Sequence, residues 1–167
     1  VEGGSGAWNG ERGGGGSGYG GTDNNGHLLR WVPGGDVGED LGQVGPGQTF
    51  AWDEEPGGDG EVFVGTYPGC NVMRYRPGAG FSDIGGGAVA VGENYARSVA
   101  YDPASDKIYI ALGSHAHLIE LDRKTAAKTD IRTQPYASRG LWYTRKISTW
   151  TLFVLVRAPR RAVGRDP

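Results

Sequence analysis

Val62-Phe63-Val64-Gly65-Thr66-Tyr67-Pro68-Gly69-Cys70-Asn71-Val72-Met73-Arg74-Tyr75 reads as strand, tight turn, strand. Val62 to Val64 are strong strand formers. Pro68-Gly69 carries the turn chemistry, and Val72 resumes an extended pattern. The stretch recurs. Counting 46 positions on from Val62 gives Ile108-Tyr109-Ile110, then Gly113-Ser114-His115, then Leu118-Ile119-Glu120-Leu121. Counting 44 back from Phe63 gives Tyr19, then Gly21-Thr22, then Leu28-Leu29-Arg30-Trp31, with Pro33 answering Pro77. A repeat of this length decides the architecture before any single element does.

Working outward, each copy holds four short strands. Asp40-Leu41-Gly42, Asp83-Ile84-Gly85 and Asp130-Ile131 mark the end of the outer strand in successive copies. Thr49 to Asp53 and Tyr95 to Tyr101 read as innermost strands, with Trp52 and Arg97 at matching positions. The expectation is an all-β chain of consecutive four-stranded antiparallel blades, with a repeat of about 46 residues. Leu141 to Ile147 and Thr151 to Val156 extend the pattern toward a fourth copy. The blades therefore run over residues 19–156. Residues 1–18 read as a glycine-rich flexible lead-in, because Trp8 is their only large apolar side chain. Residues 157–167, with Arg157, Arg160, Arg161 and Arg165, read as a basic disordered tail. Val1 at the start suggests a processed form or a piece of a longer protein.

Composition agrees with many strands and many turns. The 167 residues include 32 glycines and 9 prolines, much of them between aromatic and β-branched runs. The net charge of −2 gives no bulk attraction to nucleic acid or to an anionic membrane. No apolar run is long enough to span a bilayer. Cys70 is the single cysteine, so no intrachain disulfide forms and the compartment stays open.

An inner strand ending in Asp102-Pro103, then Lys107-Ile108-Tyr109-Ile110-Ala111, then Leu118-Ile119-Glu120-Leu121-Asp122, resembles the YVTN, quinoprotein-like and gluconolactonase-like β-propellers. Val62 to Thr66 and Arg74 to Pro77 carry the same likeness. The resemblance implies a partial propeller of about three blades plus a part of another. Ring closure would then come from further blades in a longer chain or from self-association. Quinoprotein blades have a docking tryptophan where this chain has Leu41, Ile84 and Ile131. The resemblance therefore implies no quinone cofactor. Trp52-Asp53 resembles the WD-repeat dipeptide but occurs once, and no acidic ligand set like that of gluconolactonase-type enzymes is visible.

In such a blade, ligand sites lie on the face shared by the turn between the second and third strands and the connection between blades. The polar residues there are Asp23, Asn24, Asn25, His27, Tyr67, Asn71, Asn94, Tyr95, Arg97, Ser114, His115 and His117. The ligand-binding candidates are His115, His117, Arg97, Tyr95, Tyr67 and Asn71. His115 and His117, two apart on an extended strand, point the same way and could hold a metal, or simply line a polar turn. Asp23 to Asn25 could coordinate calcium or simply form the turn. Neither set calls for a cofactor. Arg97 could grip a carboxylate bidentately or pair within the blade. His115 and His117, with Tyr95 and Arg97, are expected to face one cleft. No Gly-x-Ser-x-Gly occurs, and Cys70 has no histidine close in sequence. The reading is a module that binds a protein or carbohydrate ligand through this face. The alternative is an enzyme of the polysaccharide-lyase or lactonase kind, with Tyr or His as base and Arg neutralising a uronate.

Overall fold

The middle sheet is built around a run with no polar alternation. In the computed structural model, which describes residues 11–12, 16–113, 115 and 117–131, Val62, Phe63 and Val64 are all fully buried. Successive side chains of a strand point to opposite faces, so both faces of this strand are covered.

The first sheet comprises β1 (Glu11–Arg12), β2 (Gly18–Gly21), β3 (His27–Trp31) and β4 (Glu39–Gln43). β5 (Phe50–Pro56), β6 (Val62–Tyr67), β7 (Val72–Arg76) and β8 (Gly80–Asp83) form the second. β9 (Ala96–Asp102), β10 (Lys107–Leu112), β11 (Leu118–Asp122) and β12 (Lys128–Asp130) form the third. Each sheet is an antiparallel meander in chain order. The expectation of an all-β chain of four-stranded sheets therefore holds. One segment differs from its reading. Glu11–Arg12 pairs with Gly18 and Tyr19, so part of the expected lead-in supplies the first strand of the first sheet. A two-residue strand has no periodicity to read. The expected fourth copy and the basic tail lie outside the described residues. Among the described residues no helix is long and apolar enough to cross a membrane.

The sheets pack on one another by a repeated rule. The first strand of each sheet lies against the first two strands of the sheet before it. A Cβ at Gly21 would lie 2.1 Å from the Ala51 carbonyl oxygen, and one at Gly65 would lie 2.3 Å from that of Ala96. These glycines hold equivalent positions, and only glycine lets the next inner strand come that close. The Asp53 carboxylate ties the second sheet to the third by accepting the Val99 N–H at 2.6 Å.

Two cores follow from this packing. Tyr19, Leu28 and Val44 meet Val62, Val64, Met73 and Tyr75 between the first two sheets. Phe63, Cys70 and Val72 meet Tyr101, Ile108, Ile110, Leu112, Ile119 and Leu121 between the second and third. Each such side chain, when fully buried, stabilises by about 1.5–3 kcal/mol relative to exposure.

The Asp-aliphatic signature has a structural cause. Asp40 lies 2.9 Å from Nδ1 of His27 and accepts the Gly42 N–H at 2.9 Å. Asp83 accepts from Asn71 Nδ2 at 2.7 Å and from the N–H groups of Gly85, Gly86 and Gly87. Asp130 lies 2.6 Å from Nδ1 of His117. In every sheet the aspartate of the outer strand thus braces the start of the third strand. In the second sheet it also closes the turn that leaves the outer strand.

Candidate functional site

The turns after β2, β6 and β10 and the connections after β4 and β8 gather at one end of the sheets. Backbone bonds join them. Val44 N–H donates to Gly26 at 2.9 Å, and Val89 N–H donates to Cys70 at 2.8 Å, an equivalent pair. Gly26 and Cys70 both have positive φ, 60° and 53°. Thr22 and Thr66 clip their turns by bonding the main chain of His27 and Asn71.

At this end the inner strands bulge. The register shifts between Ala51 and Asp53 in the second sheet, and opposite Ala111 and Leu112 in the third. The extra residues are Trp52 and Arg97. A bulge turns its residue out of the alternation and re-aims the side chain. Here the two meet, with the Arg97 guanidinium carbon 4.3 Å from the Trp52 ring centroid.

Around them lies a contiguous aromatic group. Phe50 stands 5.0 Å from Trp52 and 5.3 Å from Tyr67, centroid to centroid. Trp52 meets Tyr95 edge-on at 5.6 Å, and Tyr95 stacks on Tyr67 at 4.5 Å. All four rings and Arg97 are half-buried. Burial lowers the Arg97 pKa from its usual value, opposed by Tyr95 and Asp53. The guanidinium keeps its charge near neutral pH, because its ordinary value is so high.

Two residues before Tyr95, in the connection to the third sheet, sits a buried carboxylate. The Glu93 side chain is 0% exposed. It accepts the His115 N–H at 2.8 Å and lies 2.8 Å from Nδ1 of the same histidine. His117 Nε2 is 3.7 Å away. The His115 side chain is 68% exposed. Gly113 donates to the Tyr95 carbonyl at 3.3 Å, and Ala96 pairs with Leu112. Tyr95, Arg97 and His115 therefore share one end of the third sheet.

Of the residues singled out from sequence, Tyr67, Tyr95 and Arg97 join the aromatic group, and His115 lies on Glu93. Asn71 is instead engaged by Asp83, and His117 by Asp130, so both serve as braces. His27 is the third brace. In the Asp23–Asn25 turn, Asn25 Oδ1 bonds Thr22 Oγ1 at 2.5 Å and Asn24 takes a positive φ of 62°, the geometry of a turn former. Among the described residues, no three His, Cys, Asp or Glu side chains group to hold a metal ion. Cys70 is buried, which pushes its thiol up to about 11. Sequence reading did not single out Phe50, Trp52 or Glu93 for the site. Aligning Gln48 with Glu93 and Phe50 with Tyr95 across the repeat would have found two of them.

No protein-family model matches this chain, and no curated protein matches it.

Proposed function

We propose that the three sheets are consecutive blades of a β-propeller, and that their loop-rich end binds a carbohydrate ligand. The repeated packing of each inner strand on the preceding sheet supports the blade reading. Three blades are fewer than the four to eight of a closed ring, so the reading calls for further blades, from a longer chain or a second copy. The observation that carries the ligand reading is the half-buried group of Phe50, Trp52, Tyr67 and Tyr95. Flat aromatic rings with polar tips at a loop mouth suit the faces of sugar rings, which are apolar on one side and hydroxylated at the rim.

Titration of the chain with a panel of neutral and acidic oligosaccharides, followed by tryptophan fluorescence and calorimetry, tests this. Saturable binding is expected. Tyr67→Ala or Tyr95→Ala should weaken it about tenfold, the effect of losing roughly 1.4 kcal/mol of stacking. Wild-type affinity in both variants removes the aromatic site. Capture of a protein but of no saccharide replaces carbohydrate with a protein ligand.

A further inference from the structure

The repeat supplies its own control for the Glu93–His115 pair. Gln48 precedes β5 as Glu93 precedes β9, and Gly69 holds the position of His115. Gln48 is buried and accepts the Gly69 N–H through its side-chain oxygen at 3.0 Å. Glu93 does the same for His115 at 2.8 Å. The structural task, joining the inter-sheet connection to the next turn, is thus met by a neutral amide and a glycine. A Cβ at Gly69 would meet the side-chain ends of Asn71 at 2.3 Å and Gln48 at 2.4 Å, so these would have to shift to admit one.

The third sheet departs from this at both positions together. A carboxylate replaces the amide, although burying a charge costs more than burying an amide. A histidine replaces the glycine, and its Nδ1 lies on the carboxylate that caps its own N–H. A carboxylate only accepts, so the Nδ1 position carries the proton in this contact. That leaves Nε2 of the neutral ring as the acceptor nitrogen, on a side chain that is mostly exposed. A buried carboxylate that fixes an exposed imidazole in one tautomer is the arrangement of a general base and its positioning residue. Turn closure alone does not ask for it.

We propose that His115, positioned by Glu93, abstracts a proton from an acidic saccharide held on the aromatic group, with Arg97 receiving the sugar carboxylate. Nε2 takes the proton from the carbon bearing the carboxylate. The freed electron pair forms a carbon–carbon double bond to the neighbouring ring carbon. The glycosidic C–O bond at that carbon breaks, and the departing oxygen takes a proton from solvent. Nothing is oxidised or reduced, and no further reactant enters. The carbon acid needs its carboxylate neutralised, which is the part given to Arg97. The proposal rests on the reading of this end as a saccharide site.

The test incubates the full chain with polygalacturonate and with alginate. Release of unsaturated ends is followed by ultraviolet absorbance, and binding of the same polymers is measured separately. Wild type is expected to bind and to release unsaturated ends. His115→Ala should slow release at least about 100-fold while still binding. Glu93→Gln restores the amide that Gln48 already uses, so the turn stays closed; it should lower kcat about tenfold or more and leave KM unchanged. Carbethoxylation of His115 by diethylpyrocarbonate, read by mass spectrometry, should be slowed by polygalacturonate and not by a neutral dextran. Binding without unsaturated ends, saturated products, or full activity in Glu93→Gln overturns the elimination and leaves the binding site standing. Absence of binding to any saccharide overturns both readings.

Discussion

Arg97 lies over the ring of Trp52 at 4.3 Å, although the two residues hold the same bulge position in successive sheets. Equivalent bulges in neighbouring sheets have thus been brought into contact and carry different chemistry. One is a flat apolar face, the other a planar cation. Such a contact is worth about 0.5–2 kcal/mol, depending on how far it is desolvated. It also holds the guanidinium at the edge of the aromatic group rather than free in solvent.

Arg97→Ala should therefore change selectivity more than affinity in general. Binding of an acidic oligosaccharide is expected to fall about tenfold or more, as for loss of a charge-assisted hydrogen-bonded pair. Binding of the matching neutral oligosaccharide should change by less than about threefold. Arg97→Lys should recover part of the acidic binding, because it keeps the charge and loses the planar fork. Equal losses for acidic and neutral sugars would show that Arg97 only supports Trp52.

Gly65 offers a stability test of the packing rule. Its Cβ would meet the Ala96 carbonyl oxygen at 2.3 Å and Val99 at 3.0 Å, both on the next inner strand. Backbone cannot yield as a flexible side chain can, so Gly65→Ala should cost about 1–3 kcal/mol or more. Gly18→Ala is the matched control, since a Cβ there meets nothing within 4 Å. It should be neutral or slightly stabilising, by up to about 1 kcal/mol. Urea denaturation of the two variants checks this. Equal midpoints would mean that the second and third sheets are not in close contact at Gly65.

Much of the fold was legible because three independent sequence features mark the strands of each sheet. The runs at Val62–Val64 and Ile108–Ile110 name the second strands, and Asp40, Asp83 and Asp130 name the outer ends. The Leu28, Val72 and Leu118 runs name the third strands. β1 was not legible, because Glu11–Arg12 sits among glycines and becomes a strand only through its pairing with β2. The site was legible in part. Tyr67, Tyr95 and His115 stood out as polar or aromatic residues at turns and connections, and Arg97 as a charge at the start of an inner strand. Trp52 read as the inner-strand counterpart of Arg97 and as half of a WD-like dipeptide, not as part of the site, since a bulge has no sequence signal of its own. Glu93 was hidden in a loop of glycine, alanine and valine, and its role depends on a residue far along the chain.

Acid should act on the far end of the sheets through Asp106. Burial alone would raise the Asp106 carboxyl, but hydrogen bonds from Arg123 and Tyr101 outweigh it and hold the carboxyl below its ordinary value of 3.8. A carboxyl lowered by folding adds stability above its unfolded value and loses that stability as pH falls through the folded one. The loss attributable to Asp106 therefore begins near pH 3.8 and deepens below it. Asp106→Asn should lower stability at pH 7 and narrow the gap between pH 7 and pH 3. Thermal melts across that range read the gap, and an unchanged gap would remove Asp106 from the acid response. Asp40 is lowered in the same direction, with burial opposed by His27 and Gly42, so some acid sensitivity will remain in the variant.

Glu61 is where a single substitution should loosen one sheet from the next. Its side chain is 6% exposed, and three arginines converge on it. Arg76 Nε lies 2.8 Å away and Arg74 Nε 3.6 Å away, both from β7 of the same sheet. Arg123 reaches it from the turn after β11 in the third sheet, and its guanidinium also lies 5.5 Å from the Tyr101 ring centroid. Removing the carboxylate takes away the anion these cations share, while Arg123 keeps its pair with Asp106. The arginines left behind are partly exposed, so Glu61→Ala should cost about 1–3 kcal/mol, the range for losing a hydrogen-bonded charged group. Arg76→Ala should cost less than about 1 kcal/mol, because its side chain is 52% exposed and solvent already screens it. A double-mutant cycle of Glu61→Ala with Arg123→Ala should return a coupling of about 1–3 kcal/mol between the second and third sheets. If the two losses simply add, the contact is incidental, and the sheets are joined there by Phe63, Tyr101 and their apolar neighbours alone.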